Sequence, residues 1–165
     1  MSVWTENDRS QSKLVRSLYT WWRSKTGASD VPDRSVVDPT DLKRMLPNIL
    51  ISEVHREPFR IRYRLVGTKV VEVTGFDIGG RFLHELMPAE TNEPWVDHYR
   101  WVYVNRHPLL GSTTVPTSAG VPFTYEFGIF PLRKGGHSIE QFISVEDYFD
   151  LRTTLVDLVS WRERA

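Results

Sequence analysis

FRIRYRLVGTKVVEVTGFDIGGRFLHEL, residues 59–86, decides the fold. In its first half Phe59, Ile61, Tyr63 and Leu65 fall on one side of an extended chain and Arg60, Arg62 and Arg64 on the other. That is the pattern of a strand with one buried face and one solvated face. The period then changes. Val70, Val71 and Val73 lead to Gly75, and Phe82, Leu83, Leu86 and Met87 lead to Pro88, which predicts two short helices punctuated by glycines at 75, 79 and 80.

Working toward the N-terminus, Glu57-Pro58 reads as a turn and Asn48 to Val54 as the partner strand of a hairpin. Asp38 before Pro39 has the form of an N-cap followed by proline at the first helical position, so a short helix is expected through Leu46, ended by Pro47. From Asp8 to Lys25, Leu14, Val15, Leu18, Tyr19, Trp21 and Trp22 recur at helical spacing, with Arg16, Thr20 and Arg23 opposite and Gly27 as a stop.

Toward the C-terminus, a longer helix is expected from Asn92 to Arg106, with Trp95, Tyr99, Val102 and Tyr103 on one stripe, ended by His107-Pro108. Extended runs at Leu109–Thr117, Phe123–Leu132 and Ile139–Phe149, separated by glycine-bearing turns, read as an antiparallel meander. Leu151, Leu155, Leu158 and Val159 suit a terminal helix. The division expected is an N-terminal helix and linker over 1–30, a central domain over 31–150 and a C-terminal segment over 151–165.

Lys+Arg and Asp+Glu both total 21, so the charge balance points to neither nucleic acid nor an anionic membrane. The absence of cysteine excludes disulfides, thiolate ligands and nucleophiles, and cysteinyl flavin photochemistry. The opening MSVWTENDRSQSK lacks the apolar stretch of a secretion signal and no later run approaches a membrane span, so the cytoplasm is the expected compartment.

Two strands, a helical crossover and three antiparallel strands is the element order of PAS domains. The segments LYTWWRSKTG (18–27), RSVVDPTDLKRMLPNIL (34–50) and residues 59–86 closely resemble the stand-alone bacterial group catalogued as PAS family 5. The family's aromatic helix, Asp-Pro segment and Leu-Pro correspond to Tyr19, Trp22, Asp38, Pro39, Leu46 and Pro47. Its Arg-Leu-Val-Gly-Thr stretch matches Arg64 to Thr68, including Gly67 and Thr68, with Gly75 and Gly80 as turn glycines beyond it. The resemblance implies an α+β, PAS-like fold: a five-stranded antiparallel sheet with helices on one face, preceded by an N-terminal amphipathic helix. It also implies an interior cavity and a role in bacterial signalling.

Candidate site residues follow. Trp95, His98, Tyr99 and Tyr103 on the longer helix, facing Phe127, Phe142 or Ile143, are the candidate lining of a pocket for a flat apolar ligand. Core packing accounts for the same stripe. No cofactor is expected; a small metabolite is an alternative, and so is haem, for which His98 is the one candidate ligand. Arg64 is expected to pair structurally, with Asp38 as one partner. Leu14, Leu18, Trp21 and Trp22 form an apolar face that either covers the domain's own sheet or meets a partner, a second copy or another signalling protein. The chain has no G-x-S-x-G elbow, no HExxH and no Gly-Lys-Ser/Thr loop, and a non-catalytic signalling module is expected.

Overall fold

The computed structural model describes residues 1–155. Six strands form one antiparallel sheet: β1 (Ser2–Trp4), β2 (Ile49–His55), β3 (Arg60–Val66), β4 (Leu109–Val115), β5 (Phe123–Arg133) and β6 (Ile139–Asp147), in the order β1-β4-β5-β6-β2-β3. Among the described residues three α-helices accompany it: α1 (Lys13–Ser24), α2 (Thr68–Thr74) and α3 (Ala89–Asn105). The expectation of five strands is corrected by β1, whose Val3 pairs with Gly111 of β4. Three residues are too few to show an alternation, so this strand leaves no trace in the sequence pattern.

The two faces of the sheet separate cleanly. Phe127 and Phe130 stand three residues apart on β5 and therefore point to opposite faces. Phe127 meets Trp95 of α3, with ring centroids 4.7 Å apart, whereas Phe130 meets Tyr19 and Trp22 of α1 at 6.2 and 6.3 Å. Helices α2 and α3 thus cover the inner face, as expected, and α1 covers the outer face of β5 and β6. Ile143, paired with Phe130, belongs to the α1 side and not to the α3 side.

Helix α1 is pinned at both ends. Ser12 is its N-cap: the side-chain oxygen accepts from Val15 N at 3.0 Å and the hydroxyl donates to Asp147 Oδ2 at 2.6 Å. The Glu126 carboxylate accepts from the Ser10 hydroxyl and from the backbone N–H groups of Gln11 and Ser12. Further along, Trp22 Nε1 donates to the Pro131 carbonyl at 2.8 Å. Replacing Ser12 by Ala removes the cap and leaves one Asp147 oxygen without its donor. The expected loss is about 1–2 kcal/mol, read from the urea midpoint at unchanged m-value.

Several motif residues serve the backbone. At Gly67 a Cβ would lie 2.3 Å from the Pro47 carbonyl oxygen, so only glycine lets the start of α2 pass the Leu-Pro segment. Thr68 opens α2, and Gly75 closes it in the left-handed region at φ 81°. Gly80 N–H donates to the Tyr63 carbonyl and ties the loop to β3.

Asp38 caps a turn by accepting from Thr40 N, but the helix expected from Asp38 to Leu46 is a run of turns. Proline at both ends leaves it too short to propagate, and only Leu42 and Met45 tuck into the core. Helix α3 starts at Ala89 rather than Asn92, because the Asn92 amide donates to the Met87 and Pro88 carbonyls from within the first turn. Residues 151–155, expected to be helical, are extended or bent, and Leu155 bridges Thr117. The rest of that expected helix lies outside the described residues.

Candidate functional site

Alternation along β6 sends Phe142, Ser144 and Glu146 to the inner face, where they meet Leu50 and Ser52 of β2 and Tyr63 of β3. Across from them stand α2, α3 and the short turn 83–85. Between these layers lies a small, partly open cavity of ≈ 40 Å³. Its lining is mostly apolar, from Leu50, Val70, Leu86 and Trp95 among others. Tyr63, Tyr125, Tyr148 and Glu146 bring the polar atoms.

That polar content sets the site apart from ordinary core. Burial pushes the Glu146 carboxyl up to about 7, against the opposing effect of the hydrogen bond donated by the Tyr148 hydroxyl. Burial likewise drives Tyr63, Tyr125 and Tyr148 well above the ordinary phenol range, with the Glu146 charge adding to it, and raises Tyr99 to about 12. The Ser52 and Ser144 hydroxyls are buried beside Tyr99, and hydrogen bonding with them holds back part of that rise. A carboxyl held near neutrality among buried hydroxyls is costly in a core and useful in a binding site.

The expected cavity residues divide. Trp95 lines the cavity; Tyr99, packed on Phe142 with centroids 5.0 Å apart, and Phe127, packed on Trp95, form the wall behind it. Gly111, opposite Phe127 on β4, makes room for that ring, since a Cβ there would lie 2.5 Å from Phe127 Cζ. His98 does not line the cavity. It is half-buried at the rim, stacked on Phe127 beside the Met1 thioether, and burial lowers its pKa. Tyr103 sits at the far end of α3, where it packs on Phe59 and accepts from Arg56 Nε.

Glu146, Tyr148, Tyr125 and Tyr63 were not among the expected cavity residues. A signal for them existed: once Phe142 is assigned to the cavity, period-two alternation carries Ser144 and Glu146 to the same face.

The expected partner face is corrected. Leu18 and Trp22 are 0% and 1% exposed, packed on the chain's own sheet, and are not available to a second protein. Leu14 and Trp21 lie at the margin of α1, on a groove described below. Arg64 pairs with Glu53 at 2.8 Å and not with Asp38. Arg60, Arg62 and Arg64 keep the exposed positions that the alternation gives them, with Arg62 Nε donating to the Gly80 carbonyl. Among the described residues no cluster of His, Asp and Glu has the makings of a metal site, and no helix is long and apolar enough to cross a membrane.

An antiparallel sheet with short helices packed over its inner face around a small polar-lined pocket is the arrangement that the sequence resemblance implied. The PAS domain family matches residues 9–145, and the chain belongs to that family. Among solved structures, a light-oxygen-voltage domain described with a flavin analogue is similar at 18% identity and a TM-score of 0.50, over 67% of this chain and 83% of that one. VqmA of Vibrio cholerae, described as a dimer in the absence of target DNA, is similar at 20% identity and a TM-score of 0.50, over 67% of this chain and 49% of VqmA. At these identities the likeness is one of fold. No curated protein matches the chain.

Proposed function

We propose that this chain is a non-catalytic PAS signalling module whose inner cavity takes a small, uncharged, largely apolar molecule carrying one hydrogen-bonding group. The observation that carries this reading is the burial of Glu146 with three tyrosine hydroxyls inside an apolar pocket. A protonated Glu146 has an O–H to give, and an acceptor on the ligand would meet it, while Trp95 and Leu86 would enclose the apolar part. Occupancy would act by shifting α2 and the turn 83–85, which form the thin wall of the site.

Size limits the ligand. Drug-sized sites are of the order of 300–1,000 Å³, against ≈ 40 Å³ here. A flavin, as named for the light-oxygen-voltage neighbour, does not fit this cavity, and neither does haem; His98 also lies outside the lining.

The test is a thermal-shift series at pH 6 with short alcohols, phenols and amides, together with mass analysis of any molecule released on denaturing the purified protein. A ligand of this class raises the melting temperature in proportion to the logarithm of its concentration. The response disappears in Leu86→Phe, which fills the cavity. If no compound shifts the wild type and nothing is released, the reading is wrong.

A further inference from the structure

On the outer side of the molecule α1 and the turns at 40–45 form an open groove of ≈ 1200 Å³. Its floor is apolar, made by Leu14, Trp21 and Met45, and its rim carries Lys13, Arg16, Lys43 and Arg44. The one acid lining it, Asp41, is already engaged, by Lys25 at 3.0 Å and by Trp21 Nε1 at 3.4 Å. Among the described residues Lys13, Lys43 and Arg44 have no carboxylate partner, and Arg16 only donates to the Ser10 carbonyl. In a chain whose acidic and basic residues balance, this is a local concentration of unpaired positive charge around an apolar trough.

We infer that the groove docks an acidic amphipathic helix of a partner protein. The charge selects an acidic partner, and the floor selects among acidic partners. A nucleic acid backbone would use the rim and leave Leu14 uncovered, whereas a helix with apolar residues at i, i+3, i+4 and i+7 flanked by Glu or Asp would use both rim and floor. Trp21 and Met45 are only 9% and 7% exposed, so Leu14 is the most exposed apolar side chain of the floor. The surface is separate from the inner cavity and does not depend on a ligand there. It does adjoin the cavity's outer wall through α1, β5 and β6, the strand that carries Glu146.

The experiment uses the full chain and a fluorescein-labelled 18-residue helical peptide with Leu at i, i+3, i+4 and i+7 and Glu elsewhere. A scramble of the same composition and an 18-nucleotide single strand of DNA serve as competitors. Expected are saturable anisotropy binding that weakens as salt rises, about tenfold loss in Lys43→Glu/Arg44→Glu and no change in Lys134→Glu on the opposite turn. Both reversed positions are exposed, so the fold is retained; circular dichroism checks it. The inference is overturned if the scramble binds as tightly as the helix, if the DNA strand displaces the peptide and binds more tightly, or if Lys43→Glu/Arg44→Glu binds like the wild type.

Discussion

Trp22→Ala loses about 3–5 kcal/mol of folding stability, enough to leave a domain of this size largely unfolded near 37 °C. Trp22 is 1% exposed, packs against Phe130 and donates its indole N–H to the Pro131 carbonyl. Truncation removes the apolar contact, opens a cavity between α1 and the sheet, and orphans a buried carbonyl. Trp22→Phe separates these effects: the ring contact largely persists and the hydrogen bond is lost, for an expected cost of about 1–2 kcal/mol. Urea denaturation at several protein concentrations makes the measurement. Because the partner of Trp22 is the chain's own β5, the midpoint does not move with concentration. A concentration-dependent midpoint would mean that this face is completed by a second copy instead.

The sequence pattern carried most of the architecture, and the reason is periodicity. Residues 59–86 alternate and then change period, and the structure follows them as β3 and α2, with two departures: a register shift between Ile51 and Ser52 leaves Leu65 exposed rather than on the buried face, and the second expected helix is a single 3-10 turn, Leu83–Glu85. The amphipathicity of α1 was equally plain, but a stripe of Leu18, Trp21 and Trp22 states only that something covers it. The covering surface, Phe130 and Ile143, comes from strands more than a hundred residues away, and no local pattern reports it. Length defeats the reading of β1, and Asp38 to Leu46 shows capping chemistry prevailing over a helix that two prolines keep too short.

The candidate site was half legible for a related reason. Aromatic residues advertise themselves, so Trp95, Tyr99, Phe127 and Phe142 stand out in the sequence, and of these Trp95 lines the cavity. Glu146, in the charged run Glu146-Asp147, looks like the solvated end of a strand. Its neighbour Asp147 does face the α1 side and receives the Ser12 hydroxyl, while Glu146 turns inward. Two adjacent acids with opposite roles are told apart only by strand parity, and parity requires knowing which face is covered.

Glu146 supplies the second large effect. Its carboxyl titrates from about 7 in the folded protein against an ordinary value of 4.5. Between those values the native state holds a proton that the unfolded chain has released. Stability is therefore full below about pH 4.5, falls as pH rises, and reaches its floor above pH 7. The shift corresponds to at most about 3 kcal/mol. Glu146 as a residue is not fully shielded from solvent, so roughly 2 kcal/mol is the working expectation.

His98 acts in the opposite direction: its lowered pKa makes the fold gain stability as pH rises toward 6.5. Comparison with Glu146→Gln cancels that contribution. The variant keeps an acceptor for the Tyr148 hydroxyl and never ionises. It is expected to match the wild type at pH 4.5 and to exceed it by roughly 2 kcal/mol at pH 8. Equal stability at both pH values would show that Glu146 is solvated and carries no raised pKa. The proposed function gives this carboxyl a use, as a proton donor to a bound ligand. A ligand accepting that proton binds the neutral form alone, so its affinity falls as pH rises through 7, and Glu146→Gln, whose amide N–H still donates, binds it without that dependence.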